Sequence, residues 1–153
     1  MAIKLRKANL KDSADILRWR NDPETVKVSF SRAPIGAAEH QKWFAAVLKD
    51  KARRLYIAEN QQRQKLGMIR FDLLGKKIAE VSVNLSPDMR GKGYGTKIIV
   101  LGAGKMKGFN LLARTKLSNP ASVKAFEKAG YRRWFNYDDK VLGSIQVLGM
   151  VAA

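Results

Sequence analysis

The sequence predicts an α/β domain of seven strands and four helices in the order β-α-α-β-β-β-α-β-α-β-β. Three observations carry that prediction. Apolar residues switch between a period of two and a helical period along the chain. Pro, Gly, Asn and Asp stand at the switches. The chain's 153 residues, 46% of them hydrophobic, suffice for one core and not for two. Residues 1–153 are therefore read as a single domain, with no internal repeat, low-complexity segment or linker.

The first strand is read at Ile3, Leu5 and Ala8, which alternate approximately with Lys4, Arg6 and Lys7. Asn9 with Asp12 three residues later is a capping arrangement that opens a helix running to about Arg20. Asn21-Asp22-Pro23 ends it, because the residue before proline is pushed out of helical space. A polar stretch, residues 25–33, leads to Pro34 and Gly36, where a second helix begins and buries Trp43, Phe44, Val47 and Leu48. Residues 55–58, 66–73 and 78–85 are short apolar runs separated by turn-like residues 60–64 and Gly75-Lys76-Lys77. They read as an antiparallel meander. A third helix is expected over residues 96–108 despite Gly102 and Gly104, then a strand over 111–117. Asn119-Pro120 supplies an N-cap and a first-turn proline for the fourth helix, and Gly130 is its stop. Residues 131–137 and 141–151 close the chain as a hairpin around Asp138-Asp139.

Composition removes several chemistries. Without cysteine there is no disulfide, thiol nucleophile or thiolate metal site, and the single histidine, His40, excludes motifs that pair histidines on a metal. No metal is expected. A Ser-His-Asp triad would have to use His40, and no G-x-S-x-G elbow exists. The longest apolar run, residues 98–103, is far below the ~20 residues that span a bilayer. The charged start holds no signal-peptide core, so a soluble, cytoplasmic protein is the expectation. The formal charge of +17 predicts attraction to polyanions, anionic membranes or phosphate-bearing ligands.

The segment that carries chemistry is Ser86-Pro87-Asp88-Met89-Arg90-Gly91-Lys92-Gly93-Tyr94-Gly95-Thr96. It joins a buried strand to a helix and places three glycines at every second position beside Arg90 and Lys92. Glycine lets backbone amides turn toward a ligand with no Cβ in the way, and the following helix adds unpaired N–H groups and its positive dipole end. Such a loop suits a phosphate or pyrophosphate; the plainer reading is a glycine-rich turn with incidental charge. It is not a Walker loop, which needs Gly-Lys followed by Ser or Thr. Nor is it a dinucleotide fingerprint, which would follow the first strand and be trailed by an acidic residue ~20 positions on.

Arg90-Gly91-Lys92-Gly93-Tyr94-Gly95 resembles the R/Q-x-x-G-x-G/A signature of the GNAT superfamily of N-acetyltransferases. The element order is similar to the GNAT order. Asn119-Pro120-Ala121-Ser122 through Glu127-Lys128-Ala129-Gly130-Tyr131 resembles a later motif of the superfamily. Trp19-Arg20-Asn21 and Glu39-His40-x-x-Trp43-Phe44 resemble a narrower group, the bacterial acetyltransferases of nucleotide-sugar pathways, including the one that acetylates a UDP-linked 4-amino sugar toward pseudaminic acid.

The resemblance implies a mixed, mostly antiparallel sheet of six to seven strands flanked by about four helices, with acetyl-CoA as co-substrate. It implies that Arg90, Gly91, Lys92, Gly93, Tyr94, Gly95 and Thr96 hold the pyrophosphate. The strand before them, at Val83 to Leu85, would bond the pantetheine arm, and Asn119 and Ser122 would touch the cofactor from the other side. Asn119 also reads as a plain helix N-cap. Amine acetylation needs a base, oxyanion stabilisation and a proton for the leaving thiolate. Glu80, the only acidic residue between Asp72 and Asp88, is the candidate base; the plainer reading is a salt-bridge partner. The superfamily's usual general-acid tyrosine falls at Phe126, leaving Tyr94, Ser122, Tyr131 or water. Arg20, Asn21 and His40 are candidate acceptor contacts, against a packed or capping role for His40.

The acceptor expected is a small primary amine, with a nucleotide-linked sugar preferred. The alternatives are the N-terminus of a ribosomal-type protein, or a GNAT-fold binding module for RNA or another polyanion. Basic clusters bear on the last reading: Lys4, Arg6, Lys7, Lys11 and Arg18; Lys49, Lys51, Arg53 and Arg54; and Lys76, Lys77, Arg132 and Arg133. A homodimer paired through the C-terminal strands is a further expectation from the resemblance.

Overall fold

The computed structural model describes residues 2–30 and 34–152. Seven strands form one sheet: β1 Lys4–Lys7, β2 Arg53–Glu59, β3 Lys65–Gly75, β4 Ile78–Leu85, β5 Asn110–Lys116, β6 Arg132–Asp139 and β7 Gly143–Val151. Their spatial order is β1-β2-β3-β4-β5-β7-β6. Only β4 and β5 pair in parallel, and every other neighbouring pair is antiparallel. That parallel pair needs a crossover, supplied by α4 (Tyr94–Gly104). The others are α1 (Ser13–Asn21), α2 (Pro23–Val28), α3 (Ala37–Lys49) and α5 (Pro120–Lys128).

Strand alternation divides the core in two. Tyr56, Ala58, Ile69, Phe71, Ala79, Val81, Leu111 and Ala113 point to one face and pack with Ile98 and Ile99 of α4 and Val123 and Phe126 of α5. Leu55, Ile57 and Met68 point to the other and pack with Ile16 and Trp19 of α1 and Phe44 and Val47 of α3. Asp12, wholly buried at the entry to α1, is held by Arg6 of β1 at 2.8 and 2.9 Å, Lys65 of β3 at 2.8 Å and the Asn9 N–H at 2.9 Å. Burial opposes the charge on Asp12, but these donors together push its carboxyl far below the usual range.

Seven strands and a mostly antiparallel sheet match the expectation, while the helix count rises from four to five. Asn21-Asp22-Pro23 does end α1, but Asp22 also caps α2 through the Thr25 N–H and Pro23 occupies its first turn. One Asp-Pro thus closes one helix and opens the next. Residues 31–33 of the expected polar stretch lie outside the described residues. Asn9 and Asp12 form the expected capping box, around a 3₁₀ turn Leu10–Asp12 that precedes α1. The third expected helix, α4, starts and ends earlier than read, since Gly93 caps it and Lys105 follows its end. The last hairpin turns after Asp139, because β6 runs through both aspartates. β6 is an edge strand whose residues are nearly all exposed, Trp134, Phe135 and Tyr137 among them.

Candidate active site

The site begins where two parallel strands part. β4 and β5 pair only over Ile78↔Asn110, Ala79↔Leu111 and Glu80↔Leu112. Beyond Glu80, β4 continues against β3 as far as Gly67↔Leu85, and β5 continues against β7 as far as Lys116↔Ile145. Among the described residues, residues 81–85 therefore have no ladder partner on the β5 side, a backbone edge fit to bond an extended, amide-bearing arm. Val83 and Leu85 turn their side chains into the α4-side core, which anchors the strand while leaving its backbone to a ligand. Gly67 sets how closely β3 backs it. A Cβ there would lie 2.6 Å from the Asn84 carbonyl oxygen.

At the end of β4 the chain makes a 3₁₀ turn, Pro87–Met89, with Met89 buried as its anchor. The Arg90 guanidinium bonds Asp22 Oδ2 at 2.8 Å and Thr25 Oγ1 at 2.5 Å, tying the loop to the start of α2. This contact lowers the Asp22 carboxyl. Gly91 and Gly93 have φ of +73° and +82°, and open space lies where each would carry a Cβ. Gly93 caps α4 in that left-handed state, leaving the first-turn amides of α4 aimed outward beside exposed Lys92. Gly95 and half-buried Thr96 lie in that turn; a Cβ on Gly95 would meet Leu85 and Ala125 at 3.7 and 3.9 Å, ordinary contact distances. Ser122 is thus one turn along α5 from the point where α5 meets α4. Asn119 caps α5, its Oδ1 accepting from the Ser122 N–H at 3.4 Å. The parted strand edge, the two left-handed glycines and the helix N-terminus together fit a coenzyme with an amide arm and a pyrophosphate.

Glu80 sits at the last paired position before the strands part, on the α1/α3 face opposite Asp72 of β3. Arg114 of β5 holds its carboxylate, with Nε to Oε2 at 2.5 Å and Nη2 to Oε1 at 3.4 Å. Phe30 lies under the Arg114 guanidinium at 4.9 Å. Arg70, opposite Ser82, stands one register step nearer the loop on the same face. Sequence reasoning missed Arg70 and Arg114, because cross-strand register is what brings them to Glu80.

Of the expected acceptor residues, Asn21 and His40 face inward. Asn21 bonds the Ile35 backbone twice, at 2.7 Å each, and so clasps the α2–α3 connection to α1. His40 is wholly buried, stacks on Phe44 and places Nε2 3.0 Å from the Ser13 carbonyl oxygen. Burial, with help from Arg20's charge, pushes its pKa down. Arg20 differs, lying over the Trp43 ring at 4.2 Å. Phe126 is buried core, edge-on to Tyr131. The Tyr131 hydroxyl is buried without a partner, and burial raises its pKa, so it holds its proton tightly. Among the described residues no cluster of His, Asp or Glu could hold a metal, and no helix is long and apolar enough to cross a membrane.

A parted β4–β5 pair ending in a glycine loop and a helix N-terminus defines an acetyltransferase fold. The chain belongs to the acetyltransferase (GNAT) domain family, whose model matches residues 3–132, and it is an N-acetyltransferase. It is 29% identical over 135 residues to YwnH of Bacillus subtilis (strain 168), whose name assigns it provisionally to phosphinothricin acetylation; the match covers 76% of this chain and 82% of that protein. The fold is similar to the spermidine N-acetyltransferase of Vibrio cholerae solved with CoA and spermine, at TM-score 0.87 and 16% identity over 98% and 95% of the two chains. It is also similar to a structure provisionally named a phosphinothricin N-acetyltransferase, at TM-score 0.81 and 23% identity over 99% of both.

Proposed function

We propose that this protein transfers an acetyl group from acetyl-CoA to the primary amine of a small acceptor by direct attack, with Glu80 as base. The observation that carries this reading is the parting of β4 from β5 just after Glu80, beside the loop that starts at Ser86. When bound, acetyl-CoA supplies the activated acyl group: a C–N bond forms, the C–S bond breaks, and the ammonium proton leaves while the thiolate gains one. The free edge at 81–85 orients the arm; Gly91, Gly93 and the first turn of α4 hold the diphosphate. Arg114 anchors the Glu80 carboxylate chiefly through Oε2 and holds Oε1 only by a long 3.4 Å bond, and Oε1 is the oxygen that accepts a proton directly or through one water. With Phe126 in the tyrosine position and the Tyr131 hydroxyl buried, the thiolate takes its proton from Tyr94, Ser122 or water.

The two similar proteins named for phosphinothricin and the one solved with spermine support a small-molecule amine. The nucleotide-linked sugar rests on the Trp19-Arg20-Asn21 and Glu39-His40 segments; of their candidate contacts Asn21 is spent on the Ile35 backbone, while Arg20 Nη1 and His40 Nδ1 are buried without a partner. Steady-state CoA release over a panel of amines tests the reading. Transfer to at least one small amine is expected, and Glu80→Gln is expected to slow it. Absence of transfer to every amine from a folded, acetyl-CoA-binding protein would refute it.

One observation favours the polyanion-binding module as a second reading. Lys49, Lys51, Arg53 and Arg54 line a cleft of about 370 Å³ with Asp50 as its only acid, and Arg54 and Lys77 both lie over Phe109. This basic ground lies at the other end of β4 from the glycine loop, away from the proposed cofactor site. Salt-dependent oligonucleotide binding without acetyl transfer would favour that reading.

A further inference from the structure

Two guanidinium groups converge on one indole. Arg20 of α1 lies 4.2 Å and Arg70 of β3 5.5 Å from the Trp43 ring centroid. Arg20 makes no ion pair among the described residues; its Nη1 is buried and unpartnered, and Glu39 acts on it only at a distance. Arg70 has Asp72 at 3.1 Å, but its Nε makes no well-directed hydrogen bond. The two cations are close enough to repel. Buried donors without acceptors and like charges held together are both costly, and a bound anion relieves both at once.

The placement ties this pair to the acceptor. Arg70 is the register partner of Ser82, two residues along the same face from Glu80, where β4 has just left β5. Residues this close across a sheet stand roughly 5–8 Å apart, about the span from an amine to a charged group in the same small molecule. Glu80 is engaged by Arg114, and Asp72 is shared by Arg70 and Arg53, so two acids stand against Arg53, Arg70 and Arg114, while Arg20 has only Glu39 acting at a distance. What is left over is positive charge.

We infer that the acceptor amine also carries an oxyanion, a carboxylate or a phosphorus acid, which docks on Arg20 and Arg70 beside Trp43 while the amine faces Glu80. This rests on the acetyltransferase reading above and narrows its substrate class. A polyamine, with cations along its length, is the acceptor this face repels.

The test compares matched amines by CoA release: β-alanine with its carboxamide, 2-aminoethylphosphonate with propylamine, and spermidine alone. The wild type is expected to favour each acidic member at least tenfold in kcat/KM, and the better of the two identifies carboxylate or phosphorus acid. Arg20→Gln and Arg70→Gln are each expected to remove most of that preference, and Arg20→Lys restores part of it. Preference for the neutral amines or spermidine, or equal loss on both members of a pair, overturns the inference. A folded protein that acetylates none of them counts against the small-amine reading instead. The inference is then decided by whether succinate or methylphosphonate raises the melting temperature of the wild type and not of Arg20→Gln. Should Arg20→Gln fail to fold, the Arg70 variant and the wild-type pairs decide alone.

Discussion

The two faces of the sheet are built from different matter. The face under α4 and α5 is a continuous apolar cluster, with Gly102 of α4 seated against Ile69 and Phe71 and further glycines in the turn that follows β4. The face under α1 and α3 has a small apolar cluster and beside it a row of charges: Arg20, Arg70, Asp72, Glu80 and Arg114. On the proposed mechanism the first face would bind through backbone, so its chemistry is written as a spacing of glycines. The second would bind through side chains whose partners come from distant strands. One half of the proposed reaction is then set by fold, and the other by a few substitutable residues.

The sharpest way to break the first half is Gly93→Glu. It forces a side chain into φ +82° and puts a carboxylate where a diphosphate should lie. Acetyl-CoA is expected to lose at least a hundredfold in affinity, roughly 2.7 kcal/mol, read as the disappearance of its thermal shift. Retained tight binding would remove the loop assignment. On the second face, Glu80→Gln is expected to lower kcat by about 10²–10⁴ while leaving acetyl-CoA affinity within about twofold. Unchanged turnover would take Glu80 out of the mechanism.

The next effect is structural and sits between the faces. Gly67→Ala puts a Cβ 2.6 Å from the Asn84 carbonyl oxygen, a backbone atom that cannot swing away. A loss of about 1–3 kcal/mol in denaturant unfolding is expected, with weakened acetyl-CoA binding because β4 is displaced. Asp12 gives a pH signature. Its folded pKa lies below its unfolded value of about 3.9, so its contribution is present above that value and is lost as pH falls below about 4. The wild type is expected to lose stability through that window and Asp12→Asn to lose less; parallel curves would contradict the network. The smallest effect is expected at Gly95→Ala, where the new methyl finds ordinary contacts and a helical backbone. Acetyl-CoA binding should stay within about twofold, so a large loss there would show that the glycines act by openness and not by backbone conformation.

How much of this was legible follows the same division. The strand runs, the Asn9 and Asn119 caps and the glycine loop are local patterns, and each appears within a few residues of where the sequence places it. Helix α2 was missed because Asp22-Pro23 was read only as a stop, although proline ends one helix and begins the next by the same restriction. Asn21 and His40 were read as acceptor contacts, and a polar side chain does not declare in sequence whether it meets substrate or a buried carbonyl; Ile35 and Ser13 claim these two. Arg70 and Arg114 needed the register of three strands. A faint signal existed for Arg114, a lone guanidinium on a strand whose neighbours Leu111 and Ala113 are core.

The measurement closest to the central claim is the melting temperature with and without acetyl-CoA, at low and moderate salt, in the wild type and in Gly93→Glu. Near saturation, about a hundred times the dissociation constant, binding adds ~2.7 kcal/mol. A chain of this size should then melt roughly 5 to 10 °C higher. A rise that survives moderate salt and is absent in Gly93→Glu is the result this account predicts. No rise in the wild type, or the same rise in both proteins, would contradict it.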